Sequence, residues 1–202
     1  MDFYHAGMRE LQDRFEGRAV PDRLAENRMR TKFNEADRQF IESSPFFFLA
    51  TATPDSVDCS FKGGEPGFVR LVGENMLTWP DYDGNRMYRS LGNITRSSRV
   101  GLLFISFDGT LFNGAARLRI NGRAEINESD GPITDAPGAK RWVRVVADHI
   151  FTNCPRYIPK MMLQEPSVFW PRQGHTPPAP AWKSMAFVKD IFDQERDDSN
   201  RE

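Results

Sequence analysis

The chain has 202 residues, 27 basic against 28 acidic side chains, and 39% hydrophobic residues. Such balanced charge argues against a nucleic-acid partner, no apolar run reaches the ~18 residues of a membrane span, and the first residues carry no secretory core. Two cysteines and three histidines form neither a disulfide framework nor a recognisable metal site, while 16 Phe and 4 Trp supply a core. The expectation is a cytoplasmic protein of one domain with terminal extensions.

Residues 1–45 read as a helical extension. Met8, Leu11 and Phe15 recur at spacings of three and four. Pro21 is expected to break that run and a second to begin near Asp22, carrying Leu24, Phe33 and Phe40. From Phe46 the pattern changes to short strands separated by turn residues. FFFLATAT (46–53) reads as a buried strand ended by Pro54–Asp55, and VDCSFK (57–62) follows it. GFVRLV (67–72) and NMLTWP (75–80) read as a hairpin, and RVGLLFIS (99–106) as an apolar strand stopped by Asp108–Gly109.

In ARLRINGRAEIN (116–127), Leu118, Ile120, Ala124 and Ile126 share one face, with Arg117 and Arg119 on the other. Gly122 interrupts that alternation and suggests a bulge or a close backbone approach. One helix is predicted within the strand series, over 85–97, from Met87, Leu91 and Ile94. Six strands with one inserted helix indicate a small closed barrel, since closure removes exposed edges. Beyond residue 128, Trp142–Ile150 has helix-like periodicity, 171–180 is proline-rich and extended, and DQERDDSNRE is polar enough to fray. The division is a helical extension (1–45), a barrel (46–165) and a proline-rich segment with a polar tail (166–202).

Chemistry-bearing residues concentrate around the predicted helix. A helix start offers free backbone N–H groups and the positive end of a dipole, which suits a phosphate. Asn85, Arg86, Arg89, Ser90 and Asn93 crowd that start, though a solvated face with a polar cap is the plainer alternative. Arg117 and Arg119 either clamp an anion or are simply solvated. Thr78–Trp79 at a strand end offers a stacking surface or ordinary packing, and Lys62–Gly63–Gly64 a close backbone approach or a tight turn. No nucleophile–base set, P-loop or G-x-G-x-x-G occurs, which argues against an ordinary hydrolase, kinase or Rossmann dehydrogenase.

Taken together, DCSFKGGEPGFVRLV (58–72), LTWPDYDGNRMYRSLGNI (77–94), RVGLLFISF (99–107), LRINGRAEI (118–126) and FTNCPRYIPKM (151–161) resemble the pyridoxamine 5′-phosphate oxidase-like, FMN-binding split-barrel family. The combination K-G-G-x-P-G-F-V with D-G-N-x-M-x-x-S-L-G-N-I is its specific part. The resemblance implies a mainly β fold, a six-stranded antiparallel split barrel with flanking helices. It also implies a homodimer with two FMN molecules in grooves at the subunit interface, and FMN-dependent oxidation or reduction of a small molecule.

By the same resemblance, Asn85, Arg86, Ser90, Asn93 and Arg117 face the phosphate and ribityl chain. Lys62, Phe68 and Val69 lie along the isoalloxazine, with Thr78 and Trp79 near the ring. The family's Ser-Arg-Lys triplet is Tyr88–Arg89–Ser90 here, and its closing Arg-Leu-x-Pro is absent, so the vitamin B6 substrate does not carry over. For the segment after the barrel three readings stand: Cys154 as a redox-active thiol, Tyr157 and Lys160 as substrate contacts, or Cys154 as a buried inert thiol, the commoner fate of a lone cysteine. A non-catalytic protein binding flavin or another planar cofactor is the alternative to an enzyme.

Overall fold

Strand β1 (Phe46–Thr53) divides the inside of the sheet from the outside. Phe47, Leu49 and Thr51 are buried, while Phe46, Phe48 and Ala50 face outward, as the two-residue period of a half-buried strand requires. The computed structural model describes residues 3–107, 117–128, 136–154 and 156–199. The expected turn at Asp108–Gly109 lies outside them, as do Ala116, Pro155 and residues 200–202. β1 pairs with β2 (Ser56–Gly63) and with β5 (Arg99–Ile105), and β5 with β6 (Arg117–Asn127). β6 pairs with β7 (Arg141–Asn153), and β7 with β4 (Met76–Asp81), which carries the two-residue β3 (Arg70–Leu71). All these ladders are antiparallel and run in the order β2-β1-β5-β6-β7-β4-β3.

The expected mainly β split barrel with flanking helices is therefore present, with seven strands rather than six. The extra long strand is β7, where helix-like periodicity was expected. Val143, Val145 and Ala147 point inward on one parity, and Ile150 points inward on the other. The change of phase comes from an extra residue: Asn121 pairs with His149 and Gly122 with Ala147, leaving Asp148 opposite no partner. A bulge in a strand thus imitates the three-and-four spacing of a helix. Gly122 meets its expectation, because a Cβ there would lie 2.3 Å from the Val146 carbonyl oxygen. Of the predicted strand 67–72, only Arg70–Leu71 is extended.

The core is aromatic at its centre. Phe47 stacks on Phe104 at 5.1 Å and on Phe68 at 6.1 Å, with Trp79 edge-on at 5.0 Å. Burying each such ring contributes about 1.5–3 kcal/mol. Three helices precede the barrel: α1 (Ala6–Phe15), α2 (Ala19–Arg28) and α3 (Glu35–Ser43). α2 starts before Pro21 rather than after it, since proline in a first turn has no N–H to miss. Only α3 buries side chains, Phe40 and Ile41 among them, together with the carboxylate of Asp37. Both guanidinium nitrogens of Arg30 bond that carboxylate, and Arg30 exchanges two backbone hydrogen bonds with Ile150 of β7.

The C-terminal tail does not fray as expected: α5 (Lys189–Ser199) is helical through Ser199. Phe192 packs edge-on against Trp182 at 5.3 Å, in a single 3-10 turn (Ala181–Ser184), and Glu195 is bound by Arg86. Among the described residues no helix is long and apolar enough to cross a membrane.

Candidate functional site

The two ends of the strand order leave the barrel open beside β2, and a cavity of about 450 Å³ occupies the opening. Alternation along β2 turns Asp58, Ser60 and Lys62 toward it and Cys59 away, while the largely exposed Phe61 borders its rim. Trp79–Pro80–Asp81 at the end of β4 form another wall. The third wall is the loop 82–88 with the start of α4 (Arg89–Arg96).

Helix α4 begins four residues later than predicted. Arg86 (φ 63°) and Tyr88 (φ 51°) are both left-handed, a conformation that costs a residue with a Cβ roughly 1–2 kcal/mol. The Asn85 carboxamide oxygen accepts from the Met87 N–H at 3.0 Å, so the chain turns locally instead of winding into helix. Strained non-glycine residues gather where the surroundings over-determine the backbone, and here they shape the cavity wall.

Charge dominates that wall. Ser90, at the second position of α4, donates to Asp58 Oδ2 at 2.6 Å and lies 2.9 Å from the Ser60 hydroxyl, while Arg89 reaches Asp58 Oδ1 at 3.3 Å. A carboxylate therefore stands beside the positive end of the helix dipole, bonded to side chains of α4 rather than to its first N–H groups. Burial pushes the Asp81 carboxyl above its ordinary range, opposed by Lys62 and Arg141. Lys140 at 2.6 Å and Lys183 at 2.9 Å hold Asp83 down to about 2. Burial, helped by Glu65, lifts the Tyr82 phenol to about 12.

Arg86 grips Glu195 of α5 through two nitrogens, at 2.6 and 2.8 Å, and lies 4.7 Å from the centre of the Phe192 ring. The hydrogen bonds of that fork raise the arginine and lower the glutamate. Five cationic side chains line the cavity (Lys62, Arg86, Arg89, Lys140, Arg141) against three carboxylates (Asp58, Asp81, Asp83). The two positive charges left over suit an anionic ligand.

Six of the ten residues singled out in the sequence line this one cavity: Lys62, Phe68, Trp79, Asn85, Arg86 and Ser90. Val69 is sealed in the core, and Thr78, also buried, donates to the Val143 carbonyl at 3.0 Å. Asn93 donates to Thr51 Oγ1 at 3.1 Å beneath the helix. Arg117 opens β6 away from the cavity and donates to the Cys154 carbonyl at 2.6 Å. Among the described residues the buried Nε of Arg117 has no partner, nor has Oδ1 of Asn153, its cross-strand neighbour. Cys154 is exposed rather than buried, and Tyr157 is almost fully exposed.

Sequence reasoning passed over Asp58, Asp83, Lys140 and Arg141. Asp58 carried a readable signal, because it shares the two-residue period of Ser60 and Lys62. Lys140 and Arg141 carried none, since the pairing of β7 with β4 places Arg141 opposite Asp81.

The family model for pyridoxamine 5′-phosphate oxidase matches residues 33–169, more than half of the chain. No curated protein matches. Solved structures with a similar course include HupZ of Group A Streptococcus, 12% identical, covering 64% of this chain and 99% of that one, with a TM-score of 0.46. A protein named for pyridoxamine 5′-phosphate oxidase from Lactobacillus delbrueckii is 18% identical, over 60% of this chain and 95% of its own, with a TM-score of 0.44. An FMN-binding protein from Syntrophomonas wolfei is 12% identical, over 58% and 84%, with a TM-score of 0.40. On the family match and the barrel topology, this chain is a member of the pyridoxamine 5′-phosphate oxidase family.

Proposed function

We propose that the cavity at the split of the barrel binds FMN, and that the protein is an FMN-dependent oxidoreductase acting on a small molecule. The observation that carries this reading is the cationic excess around a cavity whose wall includes the start of α4, within the family-matched residues. The donor set fits a phosphorylated flavin. Arg86, Arg89 and the first N–H groups of α4 suit the phosphate, Asn85 and Ser90 the phosphate or ribityl hydroxyls, and Phe68 and Trp79 the edge of a flat ring. Bound FMN would supply the hydride and electron chemistry itself.

This chain's residues then bind and orient. Lys62 and Arg141 place positive charge beside the cavity, and Tyr82 stays protonated well above neutral pH. Asn93 and Thr78 support the site from beneath as a Thr51-bonded and a Val143-bonded group. A dimer is part of the proposal. Phe61 and Val57 are largely exposed on the outward sheet face, where Phe61 stacks on Phe46 at 5.2 Å, and such a face favours a second copy. Arg117, which points outward on the same sheet, is proposed to meet the phosphate across that interface. The free cysteines suit a reducing, cytoplasmic setting.

A non-catalytic flavin carrier is the second reading. It is favoured by one observation: Asp58, Asp81 and Asp83 are each engaged by a cation, which leaves no carboxylate poised as a base. Titration of flavin-free protein with FMN tests the main reading through quenching of FMN fluorescence. Stoichiometric binding, with FMN retained in preference to FAD, is expected, and no binding at tens of micromolar would overturn it. Turnover of the bound flavin with a chemical electron donor and oxygen separates enzyme from carrier.

A further inference from the structure

A second cavity, of about 560 Å³, adjoins the first and shares with it the wall formed by Tyr82, Asp83, Gly84 and Asn85. Its opposite wall is the segment 169–183, which begins where the family match ends. The chamber is therefore a product of this chain's own C-terminal extension. The extension is tied down along its course: Arg172 lies 3.8 Å from Glu65 near its start, Lys183 bonds Asp83, and α5 is held by Arg86 and by Phe192 against Trp182.

The lining has an unusual chemistry. The rings of Tyr82, Phe169 and Trp182 face it, and Pro171, Pro177, Pro178 and Pro180 fill much of the rest. Prolines bring flat C–H surfaces, no N–H donor and a fixed φ, so this wall is rigid before anything binds. Asp83 and Lys183 are the charged residues lining the chamber among those described; they pair at 2.9 Å, and Lys140 of the first cavity shares Asp83 from the far side. His175 Nε2 lies 2.8 Å from the Val168 carbonyl, and burial pushes the Tyr82 phenol up to about 12. The chamber thus offers broad apolar and aromatic faces, with the charged groups of its own lining paired to each other, in the volume range of small-molecule sites.

We propose that this chamber is the substrate site and takes an uncharged, flat aromatic molecule. An anion belongs in the neighbouring cavity, where cations are in excess, and a cation finds its natural partner Asp83 already shared by two ammonium groups. The assignment as substrate site rests on the FMN reading, since the shared wall is what would set the ring beside the flavin. The ligand class rests on the chamber alone.

2-Naphthol and 2-naphthoate, one ring system without and with a charge, test the chamber by fluorescence titration of the full chain. 2-Naphthol should bind with a micromolar dissociation constant, at least fivefold more tightly than 2-naphthoate. Trp182→Ala and, on the facing wall, Phe169→Ala should each weaken it about five- to tenfold. FMN affinity should stay within a factor of two in Phe169→Ala. With FMN bound, emission of bound 2-naphthol should be quenched. Preference for 2-naphthoate, or undiminished binding in both variants, would overturn the proposal. Trp182-dependent 2-naphthol binding in a protein that never takes FMN would uphold the ligand class and defeat the flavin reading. Full 2-naphthol emission beside bound FMN would defeat the substrate role while the flavin reading stands.

Discussion

Two arginine forks tie helices to the barrel, one before it and one after, and they differ in how far water reaches them. At Arg30–Asp37 the carboxylate is sealed and accepts also from the Asn34 N–H, while the Arg30 backbone pairs with Ile150 of β7. At Arg86–Glu195 both side chains are about half exposed, and the arginine also lines the candidate site. A sealed charge pair cannot exchange partners without unfolding its surroundings, whereas an open one can trade a carboxylate for another anion. The first fork is architecture. The second is a contact that a phosphate is able to replace.

The largest expected effect falls on the sealed fork. Arg30→Ala leaves the Asp37 carboxylate buried against a lost partner and should cost about 3–5 kcal/mol in denaturant unfolding. A loss under about 1 kcal/mol would erase the distinction between the forks. Arg86→Ala should leave unfolding nearly unchanged and weaken FMN about ten- to a hundredfold, the effect of losing a charge-assisted contact to a dianion. Fluorescence titration reads that number directly.

Glu195→Gln sharpens the comparison further. Removing the competing carboxylate should tighten FMN about two- to fivefold, and weaker binding would show that Glu195 orients Arg86 rather than competing for it. The smallest effects lie in titration, best followed by carboxyl NMR. Asp81 should titrate above the ordinary aspartate range, because burial penalises its charged form, so protonation there favours the folded state as pH falls. Asp83 should titrate near 2. Its depressed value stabilises the folded state above the unfolded aspartate value of about 3.9, and that contribution disappears as pH falls through 2. Reversal of the two would mean that the lysine pair around Asp83 does not hold in solution.

Local rules were legible where one neighbour decides the outcome. The alternating face of Leu118 and Ile120 and the close approach at Gly122 follow from a two-residue period and from missing Cβ volume, whereas β1, read as buried throughout, turns Phe46, Phe48 and Ala50 outward. The motif around Lys62 and the one around Ser90 correctly belong to a single place, because β2 and α4 meet at the split. The start of α4 was misread, since an Asx turn and two left-handed residues override the apolar spacing of Met87, Leu91 and Ile94. Arg117 was readable as an outward residue but not as one remote from the cavity.

By itself the sequence determined the class of the fold, the two faces of β6, and part of the set of residues that gather at the mouth of the barrel. These depend on patterns a few residues long, which backbone geometry and burial read directly. Tertiary structure decided that Trp142–Ile150 is a strand, because only pairing with β6 reveals the bulge at Asp148 that shifts its phase. It also decided that a polar tail forms α5 and that the segment before it, 169–183, walls a second chamber. Arg86 and Glu195 are 109 residues apart, as Asp83 and Lys183 are 100 apart, and no local preference encodes contacts made at such separations.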